Sequence, residues 1–150
     1  GNNVARSLAY GCAKFGLKYR IATPEEYALD QDTIRQANTI RPDTVYQTKE
    51  PADAVKNADV VYTDTWVSMG QESEKEKRIA DFQGFQVNSQ LLAGAPAHVK
   101  IMHCLPAYRG FEITDEVAEA DSCIIFDQAE NRLHFQRALL KTLLSGSSSL

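Results

Sequence analysis

Five short runs of β-branched and apolar residues recur along the chain, each separated from the next by a segment with apolar positions at helical spacing. Parallel strands need connections of roughly a dozen residues or more, which helices supply, so this alternation specifies a parallel α/β sheet. The predicted strands are "LKYRIA" (17–22), "TVYQT" (44–48), "DVVYTD" (59–64), "VKIMH" (99–103) and "SCIIF" (122–126). Ahead of them, Val4, Leu8, Cys12 and Phe15 share one helical face, with Asn2 or Asn3 able to cap its exposed N–H groups. "TPEE" (23–26) joins a capping oxygen to a proline at the first helical position and a following glutamate, so a helix or helical turn starts there. Further helices are expected over 31–39, "PADAVKNA" (51–58), "SEKEKRIADF" (73–82, with Ser73 and Glu76 as a capping box) and "ITDEVAEA" (113–120). A long final helix from about Ala129 to Leu144 carries an apolar stripe of Leu133, Leu140 and Leu144, with Leu139 and Leu143 beside it. The fold class that follows is a doubly wound, mainly parallel, Rossmann-like sheet with helices on both faces. Residues 1–145 form one domain, and "GSSSL" (146–150) reads as a disordered tail.

A formal net charge of -4 and the lack of any dense Lys/Arg cluster leave no electrostatic footprint for nucleic acid or an anionic membrane. A small molecule or another protein is the expected partner. Cys12, Cys104 and Cys123 are odd in number and contain no CxxC pair, which suggests neither a disulfide framework nor a zinc site and points to a reducing compartment. No apolar run approaches the length of a membrane span, and any targeting segment would lie upstream of Gly1.

In doubly wound sheets, ligands bind beyond the carboxyl ends of the strands, where loops converge and helix N-termini present unpaired donors. Four polar segments fall there: "GNN" at the start, then "TDTWVSMGQ", "HCLPAYRG" and "DQAENR" after the third, fourth and fifth strands. In this order and at these separations, "GNNV", "DTWVSMGQE", "HCLPAYRG" and "DQAENR" resemble the ornithine-binding half of the ornithine carbamoyltransferase family. The similarity extends from Gly1 to about Leu144 and takes in "AKFG", "ATPEEY" and "FQGFQV". The resemblance implies transfer of a carbamoyl group from carbamoyl phosphate to the side-chain amine of L-ornithine, giving L-citrulline and phosphate without a metal or organic cofactor. It implies a partner domain that carries a Ser-Thr-Arg-Thr phosphate loop, absent from these 150 residues, and a homotrimer built chiefly through that domain. It also implies a cytoplasmic or mitochondrial protein. In the family an apolar strand ending in Gly-Asp precedes the Asn pair; only the glycine remains here, so the first central strand is expected to be missing.

An amino-acid substrate offers a carboxylate, an ammonium and a distal amine that must be neutral to attack. By resemblance, Asn3 binds the substrate at a helix N-terminus with Asn2 supporting the turn, although both residues also suit simple capping. Asp64 can accept from the α-ammonium, and Ser68 and Met69 match the segment that recognises ornithine and closes over it. An ordinary capped loop anchored by Trp66 is the plainer alternative for "DTWVSMG". Cys104 corresponds to a cysteine near the reacting amine, and the Leu105 carbonyl to the acceptor of the carbamoyl NH2. Adjacent residues of a strand face opposite ways, which argues against a His103–Cys104 nucleophilic dyad, and His98, His103 and Cys104 lack a fourth metal ligand. Arg132 suits the carbamoyl oxygen, where charge grows in the transition state; a surface pair with Glu130 or Asp127 is the alternative. "HCLP" and "SMG" favour ornithine over the aspartate-using relatives, which carry "HPLP". The competing functional classes are a nucleotide-binding Rossmann module, for which no G-x-G-x-x-G is found, and a non-catalytic small-molecule-binding domain, which the missing phosphate loop favours. The chain alone is expected to be inactive, to expose the apolar side of its final helix, and to be monomeric or weakly self-associating.

Overall fold

The computed structural model of the chain describes residues 2–67, Gly70 and residues 72–145. Asn2 opens the fold: its side-chain oxygen accepts from the Ala5 N–H at 2.9 Å and caps helix α1 (Asn3–Phe15). Gly16 closes that helix at φ 74°, returning its N–H to the Cys12 carbonyl, a left-handed cap that costs glycine no Cβ clash. Strand β1 (Tyr19–Ala22) then leads through the 3-10 turn Glu25–Tyr27 to α2 (Gln31–Ile40), whose first turn is capped by Asp30 accepting from Thr33. The crossover brings β2 (Val45–Thr48) parallel to β1, Tyr19 opposite Val45.

The second half repeats the scheme. Helix α3 (Pro51–Val55) precedes β3 (Val60–Thr63), and α4 (Lys75–Asp81) and α5 (Ser89–Leu92) lead to β4 (Lys100–His103), parallel to β3 from Val60 opposite Lys100 to Thr63 opposite His103. Helix α6 (Asp115–Ala118), capped by Thr114, and the long α7 (Ile125–Leu144) complete the chain.

Each ladder has its own core. Ala9, Ala13, Leu29, Ala37 and Val45 are buried around β1–β2, where the small alanines let α1 and α2 approach closely. Around β3–β4, Ile101 and Ile113 are wholly inaccessible and pack with Val55, Val61, Val99 and Ile125.

Three local expectations change. "SCIIF" contributes a single parallel bridge, Cys123 to Ile101, rather than a strand, and α7 begins at Ile125 instead of Ala129. A short run of four apolar residues fits a strand and a buried helical turn equally; here Ile125 fills the β3–β4 core as the first helical residue. The Ser73–Glu76 capping box does not form, because a 3-10 turn over Glu72–Glu74 already encloses Ser73, and α4 starts behind it without a side-chain cap. Finally, the described strands form two separate two-stranded parallel ladders, β1–β2 and β3–β4, where five strands in one sheet were expected. The parallel α/β class itself holds.

Helix α7 buries only Ile125, while Leu133, Leu139, Leu140, Leu143 and Leu144 are exposed. No helix among the described residues is long and apolar enough to cross a membrane.

Candidate active site

Registered partners in a parallel ladder point to the same face, so the β3–β4 pairing decides what meets beyond the strand ends. Thr63 lies opposite His103, and the next residues on each strand, Asp64 and Cys104, therefore face each other on the opposite side. The Cys104 thiol donates to Asp64 Oδ1 at 2.9 Å. The same oxygen accepts the Thr65 N–H at 2.8 Å, and Oδ2 accepts the Asn2 side-chain amide at 2.6 Å. Asn2 thus caps α1 with its oxygen and ties that helix to Asp64 with its nitrogen. Segments 62 and 40 residues away from Asp64 in sequence converge on one carboxylate.

Burial, and next the hydrogen bond to Asp64, push the Cys104 thiol up to about 11. The Tyr62 hydroxyl, two residues before Asp64 and hence on its face of the strand, is pushed up to about 12 by burial and then by the neighbouring Cys104. Cys104 is therefore a protonated donor at neutral pH, and the reactive thiolate gains population only as pH climbs toward 11. Alkylation by iodoacetamide, followed by peptide mapping, is expected to be slow at Cys104 at pH 8 and to accelerate about tenfold per pH unit up to that value. A rate that levels off below pH 9 would contradict this environment.

His103 turns away into the core. Its Nε2 lies 3.0 Å from Glu112 Oε1, and its Nδ1 accepts the Leu105 N–H at 2.8 Å. Both side chains of the pair are buried. Glu112 Oε1 also accepts the Tyr108 N–H at 2.6 Å, and the His103 N–H donates to Gln128 Oε1 on α7 at 3.0 Å. Gln128 passes its own amide N–H to the Tyr62 hydroxyl at 3.3 Å, joining the two layers. Leu105 sits at φ 56°, a left-handed conformation that costs a non-glycine residue about 1–2 kcal/mol, and its peptide bond to Pro106 is cis.

The remaining sequence-derived candidates are dispersed. Asn3 is exposed in the first turn of α1 and makes no side-chain hydrogen bond among the described residues; it is Asn2 that supplies the cap. Arg132 lies two turns into α7, not at its start, and is exposed; neither Glu130 nor Asp127 pairs with it, since Glu130 bonds His134 at 3.2 Å. Ser68 and Met69 lie outside the described residues. The segment before them is anchored: Trp66 stacks on Phe82 with centroids 5.8 Å apart and meets Phe111 at 6.3 Å, and its carbonyl accepts from Arg78 at 3.4 Å. Arg109 pairs with Asp115 and Glu119, and His98 with Asp59. All three cysteines are free, and no group of three or more His, Cys, Asp or Glu side chains among the described residues is placed to hold a metal.

Four elements of this cluster escaped the sequence reading: the Asn2–Asp64 link, Tyr62, Gln128 and the His103–Glu112 pair. The two-residue strand period places Tyr62 beside Asp64, and a glutamate between Phe111 and Ile113 marks a buried acid. Nothing local signals Gln128 or the Asn2 contact.

The model of the aspartate/ornithine carbamoyltransferase Asp/Orn binding domain matches residues 1–143. The chain is 48% identical over 150 residues to the ornithine carbamoyltransferase of Archaeoglobus fulgidus, covering all of this chain and 48% of that protein. Against the enzyme of the same name from Haloquadratum walsbyi it is 50% identical over 146 residues, covering 97% of this chain and 47% of the relative. The structure superposes on ornithine carbamoyltransferase from Pyrococcus furiosus with a TM-score of 0.90 and 45% identity, covering 97% of this chain and 48% of that one. The chain spans about half the length of the curated relatives it matches. A match along nearly its whole length, on a fold that brings Asn2, Asp64 and Cys104 together, places this chain in the aspartate/ornithine carbamoyltransferase family, as the Asp/Orn binding domain.

Proposed function

We propose that this chain is the ornithine-binding half of an ornithine carbamoyltransferase, which converts carbamoyl phosphate and L-ornithine to L-citrulline and phosphate. The observation that carries this reading is the convergence of Asn2, Cys104 and Thr65 on Asp64. A carboxylate offers about four lone-pair sites; among the described residues two donors meet Oδ1 and one meets Oδ2, which makes Oδ2 the oxygen offered to a substrate ammonium. Cys104, held as a thiol, positions the distal amine and does not attack it covalently. The neutral amine nitrogen attacks the carbamoyl carbon, phosphate departs with the electrons of the broken C–O bond, and the proton released by the amine passes to the departing phosphate. The Leu105 carbonyl accepts from the carbamoyl NH2, and Arg132 stabilises charge growing on the carbamoyl oxygen. Asn3, at the positive end of α1, donates to the substrate carboxylate. Ser68 and Met69 close over the ligand and exclude water that would hydrolyse the donor. No metal or organic cofactor enters this scheme.

The exposed leucines of α7 are the face on which the carbamoyl-phosphate domain packs, and the trimer assembles through that domain. An apolar strand ahead of Asn2 would pair with the β1–β2 and β3–β4 ladders and complete the sheet. The choice of ornithine over aspartate rests on "HCLP" and "SMG". Citrulline formation from carbamoyl phosphate and ornithine is the test, assayed for the full-length protein and for these 150 residues alone. The full-length protein is expected to form citrulline and no carbamoyl-aspartate, and the chain alone neither, since none of its residues is assigned to the phosphate. Turnover by the chain alone, or a preference for aspartate, overturns the proposal.

A further inference from the structure

We propose that the buried His103–Glu112 pair positions the Leu105 carbonyl, with His103 held as the neutral Nε2–H tautomer; the catalytic part of this inference rests on the ornithine carbamoyltransferase reading. The geometry assigns each ring nitrogen a separate duty. Nδ1 faces the Leu105 N–H at 2.8 Å and must present a lone pair, whereas Nε2 faces a Glu112 carboxylate oxygen at 3.0 Å and carries the proton. An imidazolium would set two N–H groups against each other at Leu105, in a place without access to water.

Glu112 depends on the same arrangement. Its Oε1 receives the His103 ring N–H and the Tyr108 N–H, while Oε2, fully buried, has no hydrogen-bond partner among the described residues. A buried acid satisfied on one oxygen only is held by few donors, and each counts. His103 therefore closes a circuit: its ring holds Leu105 directly, and through Glu112 it holds Tyr108 on the far side of the turn. Its own backbone N–H is fixed by Gln128.

That circuit explains how Leu105 keeps a positive φ. Such a conformation persists in a non-glycine residue only where the surroundings over-determine it, and such residues cluster at functional sites. The bond from the Leu105 N–H to His103 Nδ1 fixes the Cys104–Leu105 peptide plane; from that plane, φ 56° and the narrow ψ range of the left-handed region set the direction in which the Leu105 carbonyl points. Cys104, between the two anchored residues, faces Asp64 as a consequence. His103 touches neither the thiol nor the substrate side, so it is a positioning residue and not a base.

Two conservative variants separate its two bonds. In His103→Asn the amide oxygen occupies the place of Nδ1 and can accept from Leu105 while losing Glu112. In His103→Gln the amide reaches Glu112 as a donor and leaves Leu105 without an acceptor. In the full-length protein, His103→Gln is expected to lower kcat by about 100-fold, as misplacement of a reacting contact by an ångström does, with the KM for ornithine within about threefold of the parent. His103→Asn is expected to keep kcat within about tenfold, although its melting temperature falls as far as that of the Gln variant. Equal losses of kcat in the two variants, tracking their stability, would show a merely structural role and overturn the assignment.

A second readout needs neither variant to fold. In the full-length protein labelled with 15N-histidine, two-bond proton–nitrogen correlations at pH 7 are expected to show His103 protonated on Nε2 and bare on Nδ1. The opposite tautomer, or an imidazolium, overturns the proposal even in an active enzyme. If the protein forms no citrulline while His103 shows the Nε2–H form, the functional reading fails and the tautomer assignment stands.

Discussion

Asp64→Asn in the full-length protein is expected to lower kcat/KM for citrulline formation by about 10²- to 10³-fold, an amount equivalent to losing roughly 3–4 kcal/mol of transition-state stabilisation. The substitution is isosteric, so the effect comes from charge and from hydrogen-bond polarity. Asparagine can keep its oxygen toward Cys104 and Thr65, as Asp64 Oδ1 does now. Its NH2 then replaces Oδ2 and confronts the Asn2 amide, the donor that now lies 2.6 Å away. Rotating Asn2 to offer its oxygen would remove the cap on Ala5, a loss of about 1 kcal/mol to helix α1. Either way, the link between α1 and the β3–β4 edge breaks while the substrate ammonium loses its counter-charge. Steady-state kinetics across a range of ornithine concentrations decide the matter, and a variant within fivefold of the parent would remove Asp64 from the centre of the site.

The second large effect is on folding. Ile101 is wholly buried in β4, pairs with Val61 and bridges to Cys123. Ile101→Ala deletes three carbons from a core closed on every side and is expected to destabilise the chain by about 2–5 kcal/mol, against a typical total of about 5–15 kcal/mol. Leu139→Ala is the informative contrast. Leu139 lies on the exposed side of α7, so the same kind of truncation there is expected to cost within about 0.5 kcal/mol in this chain. Urea denaturation followed by circular dichroism, together with fluorescence of the single tryptophan, Trp66, measures both. A comparable loss from the two variants would mean that α7 is packed against the body of the domain, and its assignment as a docking face would fall. In the full-length protein Leu139→Ala is expected to cost more than in the isolated chain if α7 is the docking face proposed above.

Much of the local architecture can be read directly from residue order. β1 to β4 fall within the first four apolar runs, and helices form where the 3.6-residue period places apolar residues on one face. Asn2 and Thr114 cap helices through bonds that span three residues, so their effect is local. The same locality leaves one choice open. "CIIF" satisfies the requirements of a strand and of a helical turn, and only its packing against Val61, Val99 and Ile101 resolves the choice in favour of α7 starting at Ile125.

The site divides along the same line. Asp64, Cys104 and Leu105 were recognisable as candidates because polar or unusual residues that end a strand in a parallel sheet sit on its ligand-binding edge. Their bonding was not recognisable. Period 2 along one strand says which residues share a face and so excludes a one-residue slip, but which residue of β4 stands opposite Thr63 is set by packing around the ladder, and that pairing puts Asp64 against Cys104. Residue order and periodicity therefore determined β1 to β4, the parallel class and the strand edge on which the candidate site lies, because those depend on interactions a few residues long. Tertiary structure alone decided that Asn2 and Cys104 both reach Asp64 and that Gln128 holds the His103 N–H, because these contacts join residues 62, 40 and 25 positions apart in the chain.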